Sequence, residues 1–150
     1  QITGGGQEGG LRSGTLSPAL CAGMGAAAQL ALESMERDAA HVADLWSRAR
    51  ELFSGWTLNG SDRHRYLGNL NIRRSGLDVG RLISDVREVM VSAGSACASE
   101  SNKPSRVLAA IGLSADEARG SVRVGFGRYT TAQELERAAE LINCAAAQQG

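Results

Sequence analysis

Cys97 lies in the segment of this sequence that is best suited to chemistry. Residues 91–103 read VSAGSACASESNK, and their glycine, alanine and serine content imposes little apolar burial on the thiol. Such a loop could expose Cys97 and carry it towards a second site, so one interpretation is a mobile sulfur nucleophile. The alternative is that Cys97 is a small buried hydrophobe, as most free cysteines are.

The elements around Cys97 are predicted from hydrophobic periodicity and capping residues. Residues 87–91 are apolar enough to end as a strand, and Pro104 opens a helical pattern over residues 105–112, so Cys97 is predicted between a strand and a helix. Capping and alternation predict the other elements. These are strands at 56–58, 66–72 and 121–126, a helix after Asp78, and helices after the capping boxes Ser114–Glu117 and Thr131–Glu134.

Residues 17–54 predict one long helix, or two helices that meet near Asp38. Ser17 followed by Pro18 is a typical helix start, and no breaker occurs before Gly55. The early part is apolar nearly all round, which predicts burial against other elements or a partner chain and places Cys21 in the core. Both histidines and Cys144 are given structural interpretations. His41 is predicted on a solvated helix face, His64 in an exposed turn, and Cys144 in the packing of the last helix.

The mixture of short strands and helices predicts an α+β fold or a small α/β sandwich of helices on one sheet. The sheet is expected to be mostly antiparallel, covered by helices and preceded by a long connecting helix. The predicted organisation is a glycine-rich loop at residues 1–16, the long helix or helix pair at 17–54, and a small α/β domain at 55–150 that carries the 91–103 loop. One domain core is the expectation for 150 residues.

Composition argues against several classes of function. The 16 basic and 16 acidic residues cancel, so no overall field favours nucleic acid or an anionic membrane surface. The three cysteines do not cluster, which disfavours a zinc site or a disulfide framework and indicates a reducing compartment, with the cytoplasm as the default. The sequence contains no apolar run of about 18 residues, so no membrane-spanning helix is predicted.

Three blocks of this sequence resemble the group I, NifS/IscS-like cysteine desulfurases of the class V aminotransferase family. GGGQEGGLRSGT at residues 4–15, VSAGSACAS at 91–99 and SVRVGFGRYTT at 121–131 match motifs of that family in family order. The resemblance spans nearly the whole chain but only the carboxyl-terminal part of such an enzyme. Ala93 and Ala98 depart from the pattern, because the family often has hydroxyl residues there.

The resemblance implies a fold, a reaction and a set of site residues. The fold is the small carboxyl-terminal domain of a fold-type I pyridoxal-phosphate enzyme. The reaction converts L-cysteine to L-alanine and leaves a persulfide on Cys97, while Arg123 binds the substrate carboxylate and Thr15 reaches the cofactor phosphate across a homodimer interface. The persulfide sulfur passes to an acceptor such as an iron-sulfur scaffold protein, and no metal site is implied beyond Cys97 as a transient iron-sulfur ligand.

The lysine content predicts that residues 1–150 alone are inactive. Pyridoxal phosphate is held in such enzymes by a Schiff base to a lysine, and the sole lysine of this sequence is Lys103, six residues after Cys97 and immediately before Pro104. In the family, the cofactor lysine precedes the segment that matches residues 4–15. The alternative function is a cofactor-free interaction or sulfur-carrier module that retains only the persulfide loop.

Overall fold

The computed structural model describes residues 2–93 and 105–149. The chain divides into two compact units, Gln1–Arg37 and Asp38–Gly150, and the boundary falls inside the long first helix. The helices are α1 (Pro18–Leu52), α2 (Val79–Asp85), α3 (Arg106–Ala110), α4 (Ala115–Arg119) and α5 (Ala132–Ala147), and the strands are β1 (Thr57–Leu58), β2 (Asn69–Arg73), β3 (Ser92–Ala93) and β4 (Ser121–Gly125).

The first unit combines the glycine-rich segment with the amino-terminal half of α1. A short 3-10 turn at Gln7–Gly10 lies within the glycine-rich segment. Side chains close this loop on itself: the Ser13 hydroxyl donates to the Gly5 carbonyl at 2.6 Å, and Arg12 pairs with Glu8 at 2.9 Å. The glycine-rich segment therefore has its own hydrogen-bonded structure, although it was predicted only as a loop.

The second unit is built on a four-stranded sheet in the order β1-β2-β4-β3, in which every neighbouring pair is antiparallel. Alternation along the central strands separates the two faces of the sheet. The side chains of Leu70, Ile72, Val122 and Val124 are buried on one face. Residues of the opposite parity, Asn71 and Arg123 among them, project from the other face, which we call the polar face.

Helices α1 and α5 supply much of the core of the second unit. Buried residues recur at helical spacing on both, and they include Val42, Leu45, Ala49 and Phe53 around the end of α1, with Leu135, Ala139 and Ile142 on α5. Asn143 also joins the two elements: its side chain accepts from Trp56 Nε1 at 2.7 Å and donates to the Leu52 carbonyl at 3.0 Å. The bond from Asn143 to the Leu52 carbonyl satisfies an acceptor that the end of α1 would otherwise leave unpaired.

Capping residues set most of the helix boundaries that the sequence predicts. Ser114 with Glu117, and Thr131 with Glu134, form complete capping boxes at α4 and α5, and Asp78 caps α2. Helix α1 begins at Pro18 and runs through Asp38 as a single helix. The α+β class and the antiparallel sheet are confirmed.

Four predictions need correction. Cys21 was placed in the core but is exposed in this chain, since the apolar amino-terminal half of α1 has no buried residue. Cys144 was assigned to packing and is also exposed, because the buried stripe of α5 passes beside it. His41 is half-buried, with Nε2 2.8 Å from the Thr130 carbonyl oxygen, so it does not lie on a solvated face. The strand predicted to end at residue 91 is Ser92–Ala93, where pairing with β4 fixes its position.

Candidate functional site

Arg123 is an exposed side chain at the centre of the polar face. It lies on β4 between two other strands: Asn71 of β2 is opposite it on one side, and Ser92 of β3 is opposite it on the other. Directly opposed residues of antiparallel strands project to the same face with their Cβ atoms about 4.5 to 5.5 Å apart. The sheet therefore groups a guanidinium, an amide and a hydroxyl on one surface.

A network of polar side chains lies beside this group, with Asn59 at its centre. Asn59 is 3% exposed, and its Nδ2 donates to Asn71 Oδ1 at 2.6 Å and to Ser121 Oγ at 2.9 Å. Its Oδ1 accepts from Arg73 Nη1 at 2.6 Å. Both ends of the Asn59 amide are thus satisfied, as a buried polar group requires.

Glu117 and Ser121 anchor the far side of this network. Arg73 Nη2 lies 3.1 Å from Glu117 Oε1, and the Ser121 hydroxyl donates to the Glu117 carbonyl at 2.6 Å. Hydrogen bonds from the backbone and hydroxyl of Ser114 lower the pKa of Glu117 below its usual 4.5, and the charge of Arg73 adds to this effect. Glu117 is therefore ionised at neutral pH and keeps Arg73 in place.

Arg65 holds the connection between Asn59 and β2. It donates to the backbone carbonyls of Asn59 and Ser61 at 3.2 Å each and to that of Asn69 at 2.7 Å, and its guanidinium carbon lies 4.5 Å from the ring centroid of Trp46. Burial lowers the pKa of Arg65, as does the positive charge of Arg50 to a smaller extent. These contacts fix the backbone from which Asn59 projects.

Thr15 lies in the first unit, with an exposed side chain. It follows Gly14, whose φ of +97° is a conformation that other L-residues rarely adopt. The Gly14 carbonyl accepts a hydrogen bond from Arg12, and the Gly14 N–H donates to Gln7 Oε1 at 3.2 Å. The backbone that precedes the Thr15 hydroxyl is therefore held in one conformation.

Cys97 and Lys103 lie outside the described residues, so the structure does not test the predicted nucleophile. Strand β3 ends at Ala93, four residues before Cys97 in the sequence. Arg128 lies within the 121–131 block that resembles the third family motif. Its Nε lies 3.3 Å from Asp38 Oδ2, which links the turn before α5 to α1 within the second unit.

Other features of the described residues do not add to this site. An open groove of about 680 Å³ lies between the end of β4 and α5, with Phe126 and Leu141 in its lining, and it contains neither Arg123 nor Thr15. No cluster of histidine, cysteine, aspartate or glutamate that could hold a metal occurs among the residues described. In the same part of the chain, no helix is both long and apolar enough to cross a membrane.

The described residues fit only part of a pyridoxal-phosphate site. The exposed Thr15 hydroxyl, on a backbone fixed by Gly14, could donate to a phosphate oxygen. The described ranges contain no lysine for the Schiff base, because the sole lysine of the sequence is Lys103. The rest of such a site would have to come from another polypeptide segment.

Sequence reasoning missed Asn59, Asn71 and Ser92. Asn59 lies between the strands predicted at 56–58 and 66–72, and Ser92 lies in the predicted 91–103 loop. Alternation over residues 69–73 indicates that Asn71 faces away from Leu70 and Ile72, so its face could have been found. Its position opposite Arg123 depends on strand register, which alternation alone does not fix.

The second unit is thus an α+β domain, in which a four-stranded antiparallel sheet has one buried face and one polar face that bears the exposed Arg123. The chain belongs to the aminotransferase class-V family, whose model matches residues 3–138. This confirms the family predicted from the three sequence blocks.

The chain is similar to several cysteine desulfurases. It is 44% identical over 149 residues to the cysteine desulfurase IscS of Rickettsia typhi, covering 94% of this chain and 35% of that protein. It is also 44% identical over 144 residues to the mitochondrial cysteine desulfurase of Arabidopsis thaliana, covering 93% of this chain and 32% of that protein. The chain thus spans about a third of the length of these relatives.

Solved structures share the fold. The NifS-like protein from Rickettsia africae ESF-5 superposes with a TM-score of 0.81 at 23% identity, covering 96% of this chain and 39% of that chain. A structure of SspA in complex with cysteine has a TM-score of 0.56 at 29% identity, over 87% of this chain and 36% of the other. The first likeness supports the fold alone, since its sequence identity is low.

Proposed function

We propose that this chain is the carboxyl-terminal part of a pyridoxal-phosphate-dependent cysteine desulfurase that acts as a homodimer. The observation that carries the proposal is the similarity of 94% of the chain to the IscS protein of Rickettsia typhi, at 44% identity. The exposed Arg123 on the polar face supports it, because a planar guanidinium can hold an amino-acid carboxylate through two parallel hydrogen bonds.

In the proposed reaction, the Cys97 thiolate attacks the sulfur of L-cysteine. The new S–S bond forms as the carbon–sulfur bond of the substrate breaks, and the electron pair goes to the substrate carbon, which takes up a proton to give L-alanine. Pyridoxal phosphate, when bound, supplies the electron sink for this chemistry. Arg123 orients the substrate, and Thr15 contributes one hydrogen bond to the cofactor phosphate.

The sequence position of Cys97 suits this role. It follows Ala93 of β3 by four residues, and four residues of polypeptide span at most about 14 Å. The preceding residue of β3, Ser92, lies directly opposite Arg123. The persulfide formed on Cys97 would then pass by thiol exchange to an acceptor such as an iron-sulfur scaffold protein, in the cytoplasm.

Replacing each cysteine in turn tests the assignment. In the full-length protein that contains this segment, Cys97→Ala should abolish sulfide release from L-cysteine while the visible absorbance of the bound cofactor stays unchanged. Cys21→Ala and Cys144→Ala are matched controls, because both thiols are exposed and neither belongs to the 91–103 segment. Equal loss of sulfide release in either control would contradict the role of Cys97.

Measuring alanine in the same reactions distinguishes an enzyme from a sulfur-carrier module. A desulfurase forms L-alanine in amounts that match the sulfide released after reduction. A cofactor-free module would accept persulfide sulfur on Cys97 from another protein and would form no alanine from L-cysteine. Measuring alanine directly therefore decides between the two functions.

A further inference from the structure

Two residues with hydrogen-bond donors flank Arg123 on the polar face, and neither was predicted as a site residue from the sequence. Asn71 and Ser92 are its opposed neighbours on the two adjacent strands. The Arg123 guanidinium makes no hydrogen bond or ion pair with any described residue, so it is available to a ligand. Whether Asn71 can share that ligand depends on which end of its amide faces this guanidinium.

The network around Asn59 determines the orientation of the Asn71 amide. Arg73 can only donate hydrogen bonds, so the end of the Asn59 amide that meets Arg73 Nη1 must be the oxygen. The Asn59 nitrogen must then face Ser121 and Asn71. The Ser121 hydroxyl already donates its proton to the Glu117 carbonyl and accepts from Asn59, which is consistent with this orientation.

The same reasoning extends to Asn71 itself. Because Asn59 Nδ2 is a donor, the Asn71 atom 2.6 Å away from it must be the acceptor Oδ1. The Asn71 Nδ2 group is therefore the end left for a ligand, and it makes no hydrogen bond with any described residue. Asn71 presents two N–H donors on the face where Arg123 presents its guanidinium.

We propose that Asn71 and Ser92 complete, with Arg123, a binding site for the carboxylate of a small amino acid, and that Asn59 is a positioning residue that fixes the Asn71 amide. The proposal rests on the proposed function and adds residues to its substrate site. A carboxylate offers about four lone-pair positions, of which a guanidinium takes two. The Asn71 amide and the Ser92 hydroxyl supply donors for the remainder.

The substitution Asn71→Asp tests the orientation argument. The introduced carboxylate keeps an oxygen for Asn59 Nδ2, so the network and the fold are retained, but a negatively charged oxygen replaces the donor that faces the ligand. In the full-length holoenzyme, we expect the affinity for L-alanine to fall by about 10- to 100-fold, as for lost hydrogen bonds to charged groups. L-Alaninamide, which lacks the carboxylate, should lose far less affinity.

Asn69→Asp is the matched control. Asn69 lies on the same strand and the same face, but it is opposite Gly125 and makes no hydrogen bond with Asn59. The Asn69→Asp variant carries the same new charge two residues away. Its affinity for L-alanine should therefore change much less than the affinity of the Asn71→Asp variant. Ser92→Ala removes the other donor without adding charge and should weaken L-alanine binding several-fold.

Arg123→Ala separates failure of this inference from failure of the proposed function. Unchanged L-alanine affinity in Arg123→Ala would remove the basis of the substrate site as a whole. A large loss in Arg123→Ala, combined with wild-type affinity in both Asn71→Asp and Ser92→Ala, would overturn only the roles proposed for Asn71 and Ser92. Equal losses in Asn71→Asp and Asn69→Asp would also overturn them, since they would indicate a general effect of charge.

Discussion

Asn59→Ala should loosen the pairing of β2 with β4. The Asn59 side chain is 3% exposed and makes three hydrogen bonds, to Asn71, Ser121 and Arg73. These residues belong to the two central strands, so Asn59 joins β2 and β4 through side chains in addition to their backbone ladder. Alanine removes all three bonds and leaves the backbone bond from Asn59 N to the Asn71 carbonyl.

The loss of stability in Asn59→Ala depends on which hydrogen bonds its three partners keep without Asn59. Two neutral hydrogen bonds are worth about 1 kcal/mol each and a bond to a charged group about 1.5 to 3 kcal/mol, which together would give about 3.5 to 5 kcal/mol. Arg73 keeps Glu117 and is 24% exposed, Asn71 is half-buried, and Ser121 keeps the Glu117 carbonyl. Water and these remaining bonds reduce the loss, so we expect about 2 to 3 kcal/mol.

Amide hydrogen exchange measures this loss directly. The exchange of the amides in β2 and β4 should accelerate by roughly 30- to 140-fold if opening of this region limits exchange, since each 1.4 kcal/mol is tenfold. Asn69→Ala is the control: its side chain is exposed and its effect should stay within about 0.5 kcal/mol. Unchanged exchange in Asn59→Ala would refute the view that the polar network stabilises the sheet.

Two further predictions concern the caps and the cofactor. Hydrogen bonds from the backbone and hydroxyl of Thr131 lower the pKa of Glu134 below its usual 4.5, so this stabilisation of α5 is present above pH 4.5 and is lost as the pH falls through the lower, folded-state value. As the pH falls below 4.5, amide exchange in α5 should therefore depend less on pH in Glu134→Gln than in Glu136→Gln. Equal dependence in the two variants would contradict the cap assignment. We also expect residues 1–150, mixed with pyridoxal phosphate, to show no stable protonated Schiff-base absorbance; such a band, lost in Lys103→Ala, would contradict this expectation.

The sequence predicted elements best where a local signal sets them. Pro18, the Ser114–Glu117 pair and the Thr131–Glu134 pair mark helix starts that the structure confirms, because a cap acts within a few residues of the end that it satisfies. Cys21 was predicted to be buried, but it is exposed. An apolar run shows that burial would be favourable, but it does not show that another element of the chain covers it.

The candidate site was less predictable because it depends on contacts between distant residues. Arg123 was found only through its resemblance to a family motif, since a single arginine in a strand has many possible roles. Asn59 and Ser121 are 62 residues apart in the sequence, and their hydrogen bond follows from sheet topology. No local pattern at Asn59 distinguishes it from an ordinary turn residue, because Asn-Gly is a common turn sequence.

The two faces of the sheet separate stability from ligand binding, and Asn59 connects them. Leu70 and Val122 are buried on the helix-covered face, so truncating them should affect folding without changing the donors beside Arg123. Asn59 belongs to the polar face yet is buried, because its amide bonds to both central strands. The same Nδ2 that stabilises the strand pair also determines which end of the Asn71 amide faces the ligand. Loosening of the sheet and weaker carboxylate binding should therefore occur together in Asn59→Ala, whereas in Asn71→Asp binding should weaken while the sheet stays intact.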